Sequence, residues 1–151
     1  MYVLGIAGWT DRGHDASATL VKDGKIVAAA EEERFTRRKH AFDVLPHNAV
    51  RFCLEEEGIN IDDIDNVGVY WDLPAHYKLR GIRRDFNKIA EELFPRNLFD
   101  YSDPPEIVFL NHHLSHASSA FRASGFDRSA ILVVDGAGED VSTTIWYGSG
   151  N

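Results

Sequence analysis

Two stretches of this chain follow one plan, and that repetition limits the fold more than any other feature. Near the amino terminus, the apolar run Tyr2 to Ala7 passes through a glycine-containing turn with His14 and Asp15 into the alternating stretch Ala16 to Val21. Near the carboxyl terminus, Ala130 to Val134 passes through Asp135-Gly136-Ala137-Gly138-Glu139 into the alternating stretch Ser142 to Tyr147. Short β-rich runs joined by glycine and acidic residues read as strands meeting at a tight turn. The first copy continues. Lys22-Asp23-Gly24-Lys25 is a hairpin signal, because Asp-Gly supplies the positive φ angles of a two-residue turn, and Ile26 to Ala30 returns as a third strand. The second copy is only begun. Glycine at a hairpin tip exposes backbone N–H groups that can wrap a phosphate, and an acidic tip residue can hold a metal or orient a water. The expectation is a duplicated α/β phosphate-binding fold, with residues 1–128 as its first lobe and residues 129–151 as the opening hairpin of a second.

Between the two copies the pattern turns helical. Pro46 suits the first turn of a helix running to about Glu57, with Gly58 as its stop. Val67 to Trp71 reads as a short strand. Leu79, Ile82, Phe86, Ile89 and Leu93 recur at three and four, which predicts one helix from about Ala75 to Phe94. Phe35 to Val44 and residues 95–105 read as loops. Ile107 to Leu110 is a further strand, followed by a helix to about Ala123. The buried strand expected at Ala130 to Val134 then opens the second copy.

Composition narrows the class. With 44% hydrophobic and 26% charged residues, 151 residues can form one core of ordinary size. A formal net charge of -8 disfavours non-specific binding to nucleic acid. No apolar run approaches the roughly 20 residues that span a bilayer, and the amino terminus lacks the features of a secretory signal. The single cysteine, Cys53, excludes an internal disulfide and fits a reducing compartment, so cytoplasm is expected, with neither nucleic acid nor membrane as a partner. Positive charge gathers at Arg34, Arg37, Arg38 and Lys39, and again between Lys78 and Lys88. Such clusters suit a phosphorylated small molecule; each also reads as a solvated face or turn, and the first, beside Glu31 to Glu33, reads better as a salt-bridged turn than as an anion clamp.

The chemistry-bearing residues lie at element ends. Asn111-His112-His113-Leu114-Ser115-His116 opens a helix. His112 and His116, four positions apart, share one helix face and can converge on one metal ion, while His113 points elsewhere. Read locally, the pair is just as compatible with a histidine-rich helix start satisfied by hydrogen bonds. Asp135 ends a strand, where a carboxylate wants a cation; added to the two histidines it completes a set suited to Fe(II), Mn or Zn with open positions. Alone, it is also an ordinary turn residue. His14 at the first hairpin tip is a candidate general base, since an imidazole accepts a proton near neutral pH, or else an exposed turn histidine.

Five stretches, taken in order, match a known pattern: Gly13-His14-Asp15-Ala16-Ser17-Ala18, Ala28 to Phe35, Arg37 to His40, Asn111 to Ala117, and Val133 to Gly136 with Gly138-Glu139. Together they resemble the amino terminus of the NodU/CmcH-type carbamoyltransferases along residues 1 to 151. The resemblance implies the first lobe of an actin-like ATPase, ribonuclease H-like duplicated fold. It implies carbamoyl transfer from carbamoyl phosphate, with ATP, through a carbamoyl-adenylate, onto a hydroxyl of a small molecule such as an antibiotic or nodulation factor. It further implies a divalent metal, iron foremost, on His112, His116 and Asp135, with His14 beside the acceptor. Asp15, Arg38, Gly136 and Gly138 are then the positions for nucleotide or phosphate contact. Family members run to several hundred residues, with the rest of a second lobe and an adenylate-forming domain. The expectation is therefore an amino-terminal part completed by a longer parent protein or by a second chain. The alternatives are a non-catalytic metal- or nucleotide-binding subunit, or a truncated fragment that forms a homodimer through its unfinished hairpin. An actin-like sugar kinase is weaker, because it has no need of the paired histidines.

Overall fold

A computed structural model describes residues 1–9 and 13–150. The turn expected at Trp9 to Asp15 therefore lies partly, at Thr10 to Arg12, outside the described residues. The chain is a mixed α/β protein. It divides into two units, Met1–Val69 with Asp85–Val108, and Tyr70–Arg84 with Phe109–Asn151.

The first unit is built on the expected three-stranded meander. Strands β1 (Tyr2–Ala7), β2 (Ser17–Lys22) and β3 (Lys25–Glu31) pair antiparallel, and the Asp23-Gly24 turn has positive φ at both residues, 49° and 78°. Strand β4 (Asn66–Val69) joins the other edge of β1 in parallel, and β5 (Glu106–Phe109) completes a five-stranded sheet in the order β3-β2-β1-β4-β5. Alternation puts Leu4, Ile6, Ala18, Leu20, Val67 and Val69 on one buried face. Helix α2 (His47–Glu57) covers that face with Ala49, Val50, Cys53 and Leu54. The loop expected at Phe35 to Val44 instead contains the end of a one-turn helix, α1 (Glu33–Thr36), and a 3₁₀ turn at Lys39–Ala41.

The long helix expected from Ala75 to Phe94 is broken. Helix α3 (Leu73–Leu79) ends at Arg80, and α4 (Ile89–Leu93) belongs to the first unit. The cause is Gly81, whose φ of 68° ends the helix. The Gly81 N–H bonds the Lys78 carbonyl at 3.1 Å and the Ile82 N–H bonds the Tyr77 carbonyl at 2.9 Å, the paired bonds of a Schellman stop. Apolar spacing of three and four continues across the stop, but the backbone does not.

In the second unit, helix α5 (His112–Ser124) turns Ala117 and Phe121 inward, toward the antiparallel hairpin of β6 (Arg128–Val134) and β7 (Thr143–Ser149). Strand β6 is not the buried strand its apolar sequence suggests. Leu132, Val134, Ile145 and Tyr147 are 65%, 70%, 77% and 70% exposed. A two-stranded sheet has two faces, and α5 covers one of them. No helix among the described residues is long and apolar enough to cross a membrane.

The contrast between the two sheets sets a stability test. Leu20→Ala, in the closed core, is expected to cost about 2–5 kcal/mol in urea denaturation. Ile145→Ala, on the open face, is expected to stay within about 0.5 kcal/mol of the parent. Comparable losses at the two positions would mean that the hairpin face is covered in solution.

Candidate metal centre

Helix α5 starts where its sequence says it should. Asn111 is the N-cap, and its Oδ1 accepts the Leu114 N–H at 2.9 Å. His112 and His116 are then one turn apart on one face, with ring centroids 4.5 Å apart. Asp135 sits just past the end of β6, where its own N–H bonds the Ser142 carbonyl at 2.9 Å and closes the hairpin. The three side chains meet. His112 Nε2 is 2.7 Å from Asp135 Oδ2, His116 Nε2 is 3.2 Å from the same oxygen, and the two Nε2 atoms are 3.1 Å apart. This is the one group of three or more candidate ligands found among the described residues.

The triangle fits a metal. Donors about 2.1 Å from one cation and at right angles to each other lie about 3.0 Å apart, close to all three observed edges. Two imidazoles and one carboxylate are also a donor set that leaves coordination positions open. The His112 Nε2 beside Asp135 holds its carboxyl below the usual carboxylate range; partial burial opposes this, and the Gly136 N–H at 2.6 Å supports it. The contact with His112 thus favours the ionised carboxylate, the form that ligates a cation.

Packing fixes the His112 ring. It stacks on Trp71 at 4.4 Å and 28°, and meets Tyr70 edge-on at 5.6 Å. Its Nδ1 is buried and finds no hydrogen-bond partner among the described residues. The orientation that a hydrogen bond at the second ring nitrogen ordinarily supplies comes here from aromatic contact. His113 turns away, as its position on the helix requires. It is fully buried, with Nδ1 2.9 Å from Thr144 Oγ1.

The other residues singled out in the sequence have different surroundings. Gly136 spends its N–H on Asp135, and the Gly138 N–H bonds the Val141 carbonyl at 2.7 Å within the turn. A Cβ on Gly138 would lie 2.7 Å from that carbonyl oxygen and 3.0 Å from the His113 ring, so the turn has no room for a side chain there. In the first unit, Asp15 engages two histidines at once: Oδ2 lies 2.7 Å from His14 Nδ1 and Oδ1 lies 2.9 Å from His40 Nδ1. His40, and next His14, hold the Asp15 carboxyl below the usual carboxylate range. Arg38 is exposed. Three residues around the metal centre went unassigned in the sequence. Trp71 and Tyr70 flank His112, and the carboxylate of Glu139, which lies within a matched stretch, meets the start of α5.

Comparison with known proteins identifies the family. The family described as Carbamoyltransferase N-terminus matches residues 3–80, half of the chain. The nodulation protein NolNO of Sinorhizobium fredii is 38% identical over 147 residues, covering 91% of this chain and 22% of that protein. An uncharacterized Synechocystis protein, sll1178, is 35% identical over 175 aligned positions, covering 99% of this chain and 28% of its own length. The chain thus spans about a quarter of the length of these two relatives. Among solved structures, YeaZ from Pseudomonas aeruginosa overlaps 90% of this chain and 55% of its own with a TM-score of 0.44 and 17% identity. On the family match and these two relatives, the chain belongs to the carbamoyltransferase N-terminus family.

Proposed function

We propose that this chain is the amino-terminal part of an O-carbamoyltransferase that moves a carbamoyl group from carbamoyl phosphate, through a carbamoyl-adenylate, to a hydroxyl of a small molecule such as an antibiotic or nodulation factor. The observation that carries this reading is the convergence of His112, His116 and Asp135 in a chain of this family. The strand order β3-β2-β1-β4-β5 supports reading the five-stranded sheet as the first lobe of an actin-like duplicated fold, with β6 and β7 opening the second. The domain limits at residues 1–128 and 129–151 are part of the same proposal.

In this reading His112, His116 and Asp135 hold a divalent metal, Fe(II) foremost, with Mn or Zn as alternatives. When bound, the metal acts as a Lewis acid that polarises the carbamoyl carbonyl and offsets the oxyanion formed on attack. The acceptor oxygen bonds the carbamoyl carbon, AMP departs, and His14 takes the hydroxyl proton. Asp15 supports that role: its contact with His14 Nδ1 keeps the proton on that nitrogen and leaves Nε2 as the base. Asp15, Arg38, Gly136 and Gly138 are the proposed positions near nucleotide or phosphate. In this reading the remaining lobe and the adenylate-forming domain are supplied by a longer parent protein or by a second chain, and the proposed setting is the cytoplasm.

The decisive assay combines purified chain, Fe(II), ATP, carbamoyl phosphate and a hydroxyl acceptor, with and without the missing portions supplied as a second chain. Carbamate product is expected in the complete mixture. Its absence there, with metal or nucleotide still tightly bound, would favour a non-catalytic binding subunit. Under the same conditions His14→Asn should lower turnover by about 10²–10⁴-fold, the usual contribution of general acid–base catalysis, while metal affinity stays unchanged. Asp135→Asn should remove metal binding itself, read by calorimetry with the metal alone.

Asp15 also predicts a pH dependence. Its folded carboxyl is held below the ordinary value, so its contribution to stability is present above that value and is lost as pH falls through the folded one. The stability difference between the parent chain and Asp15→Asn should shrink as pH falls from about 5 to below about 4, the range in which an ordinary aspartate is protonated. A difference independent of pH would remove the two-histidine contact.

A further inference from the structure

We propose that Glu139 is the positioning residue of the metal centre: from the β6–β7 turn its carboxylate grips the first turn of α5, and that grip sets the span between Asp135 and the two histidines. This inference rests on the metal reading above. The carboxylate accepts three N–H groups. Oε1 takes the backbone N–H of His112 at 2.8 Å and of Asp72 at 3.0 Å, and Oε2 takes Asn111 Nδ2 at 2.7 Å. Two of these donors are the N-cap and the first residue of α5, and the first residue is itself a proposed ligand.

The ligand set is split between two elements. His112 and His116 ride on α5, whereas Asp135 is fixed to the hairpin by its bond to Ser142. A displacement of one element by an ångström would open a triangle whose edges are 2.7 to 3.2 Å. His112 Nδ1 has no hydrogen-bond partner among the described residues, so the ring goes where its backbone and Trp71 send it. The His112 N–H is where that backbone is tied down. His113 and Thr144 make a second link between helix and hairpin, on the buried side. Glu139 makes the link at the metal side.

The donor count explains why position 139 carries a carboxylate. Asn111 cannot turn its amide over, because its Oδ1 is occupied as the cap of Leu114. Its NH₂ must therefore face residue 139. A glutamine there could keep one oxygen on His112 and Asp72, but would set its own NH₂ against that of Asn111. Exchanging the partners restores the match: aspartate at 111 still caps Leu114 and offers its other oxygen to the glutamine NH₂, at the same net charge.

The test uses Co(II) alone as the probe, titrated into the full chain and followed by its visible absorption, with circular dichroism to check folding. Glu139→Gln should bind Co(II) about 10–100-fold more weakly than the parent, the usual cost of losing a group that orients metal ligands. The double variant Glu139→Gln with Asn111→Asp should recover most of that loss. Equal affinity in the parent and Glu139→Gln overturns the proposal, as does a folded double variant that binds no better than the single one. If Glu139→Gln does not fold, the double variant decides: folding with near-parent affinity supports the proposal, and folding with affinity as low as that of Asp135→Asn overturns it. A parent chain that binds no Co(II), or an Asp135→Asn variant that binds as tightly as the parent, overturns the metal reading and this proposal with it.

Discussion

Both of the longer helices begin with more N–H donors than their own residues can satisfy, and in each a carboxylate from far along the chain supplies the missing acceptor. In the first unit, Glu32 is 2% exposed; it accepts the Ala49 N–H at 2.8 Å and Asn48 Nδ2 at 2.5 Å at the start of α2, which has no side-chain cap of its own. In the second unit, Glu139 accepts the His112 N–H and Asn111 Nδ2 at the start of α5. Each site therefore joins one carboxylate to one helix N–H and one asparagine amide. A buried N–H left without a partner costs about 1–3 kcal/mol, and a buried carboxylate without donors costs more. Met at a helix N-terminus, where the macrodipole favours negative charge, the two groups stabilise each other. Both helix starts share this exchange, and in the second unit it falls beside the proposed ligands.

Much of the fold was legible because short-range chemistry dictates it. The Asp23-Gly24 turn, the alternation along β1 and β2, and the closure of α2 at Gly58 involve residues only a few positions apart. The break at Gly81 shows where such reading fails. It uses the same backbone motif as Gly58, with the Ile82 N–H reaching the Tyr77 carbonyl as the Ile59 N–H reaches that of Leu54. At Gly58 the apolar period stops, so the glycine reads as punctuation. At Gly81 the period continues through Ile82 and Phe86, and an intact pattern concealed the stop. Apolar spacing records which side chains could share a face, not whether the backbone between them remains helical.

The candidate site divides in the same way. The pairing of His112 with His116 follows from helix geometry and is visible from their spacing alone. The arrival of Asp135 between them depends on a contact across 23 residues, which no local pattern encodes. Glu139 is less legible still. Its carboxylate acts on backbone N–H groups, and a backbone donor leaves no mark on residue identity at the position it occupies. Trp71 likewise looked like the end of a strand, whereas β4 ends at Val69 and the indole lies flat against His112. The exposed face of β6 has another cause. Its apolar residues match those of a strand buried on both sides, and in this unit only one side meets a helix.

Exposure across the triangle bears on what such a centre can do. The His112 side chain is 9% exposed, Asp135 33% and His116 51%, so the three ligands run from the interior outward. A structural metal site closes its coordination sphere with four protein ligands, while a catalytic one retains positions for solvent or substrate. His112 and its Trp71 stack form the closed side of the triangle, and His116 forms the exposed side. The buried ligand is the one whose backbone Glu139 holds, and the exposed ligand follows it rigidly, one helical turn later. The side held by Glu139 and Trp71 is thus the closed one, and the open side is where a reacting group would have to enter. In the proposed reaction, such an arrangement is suited to binding and polarising a small electrophile.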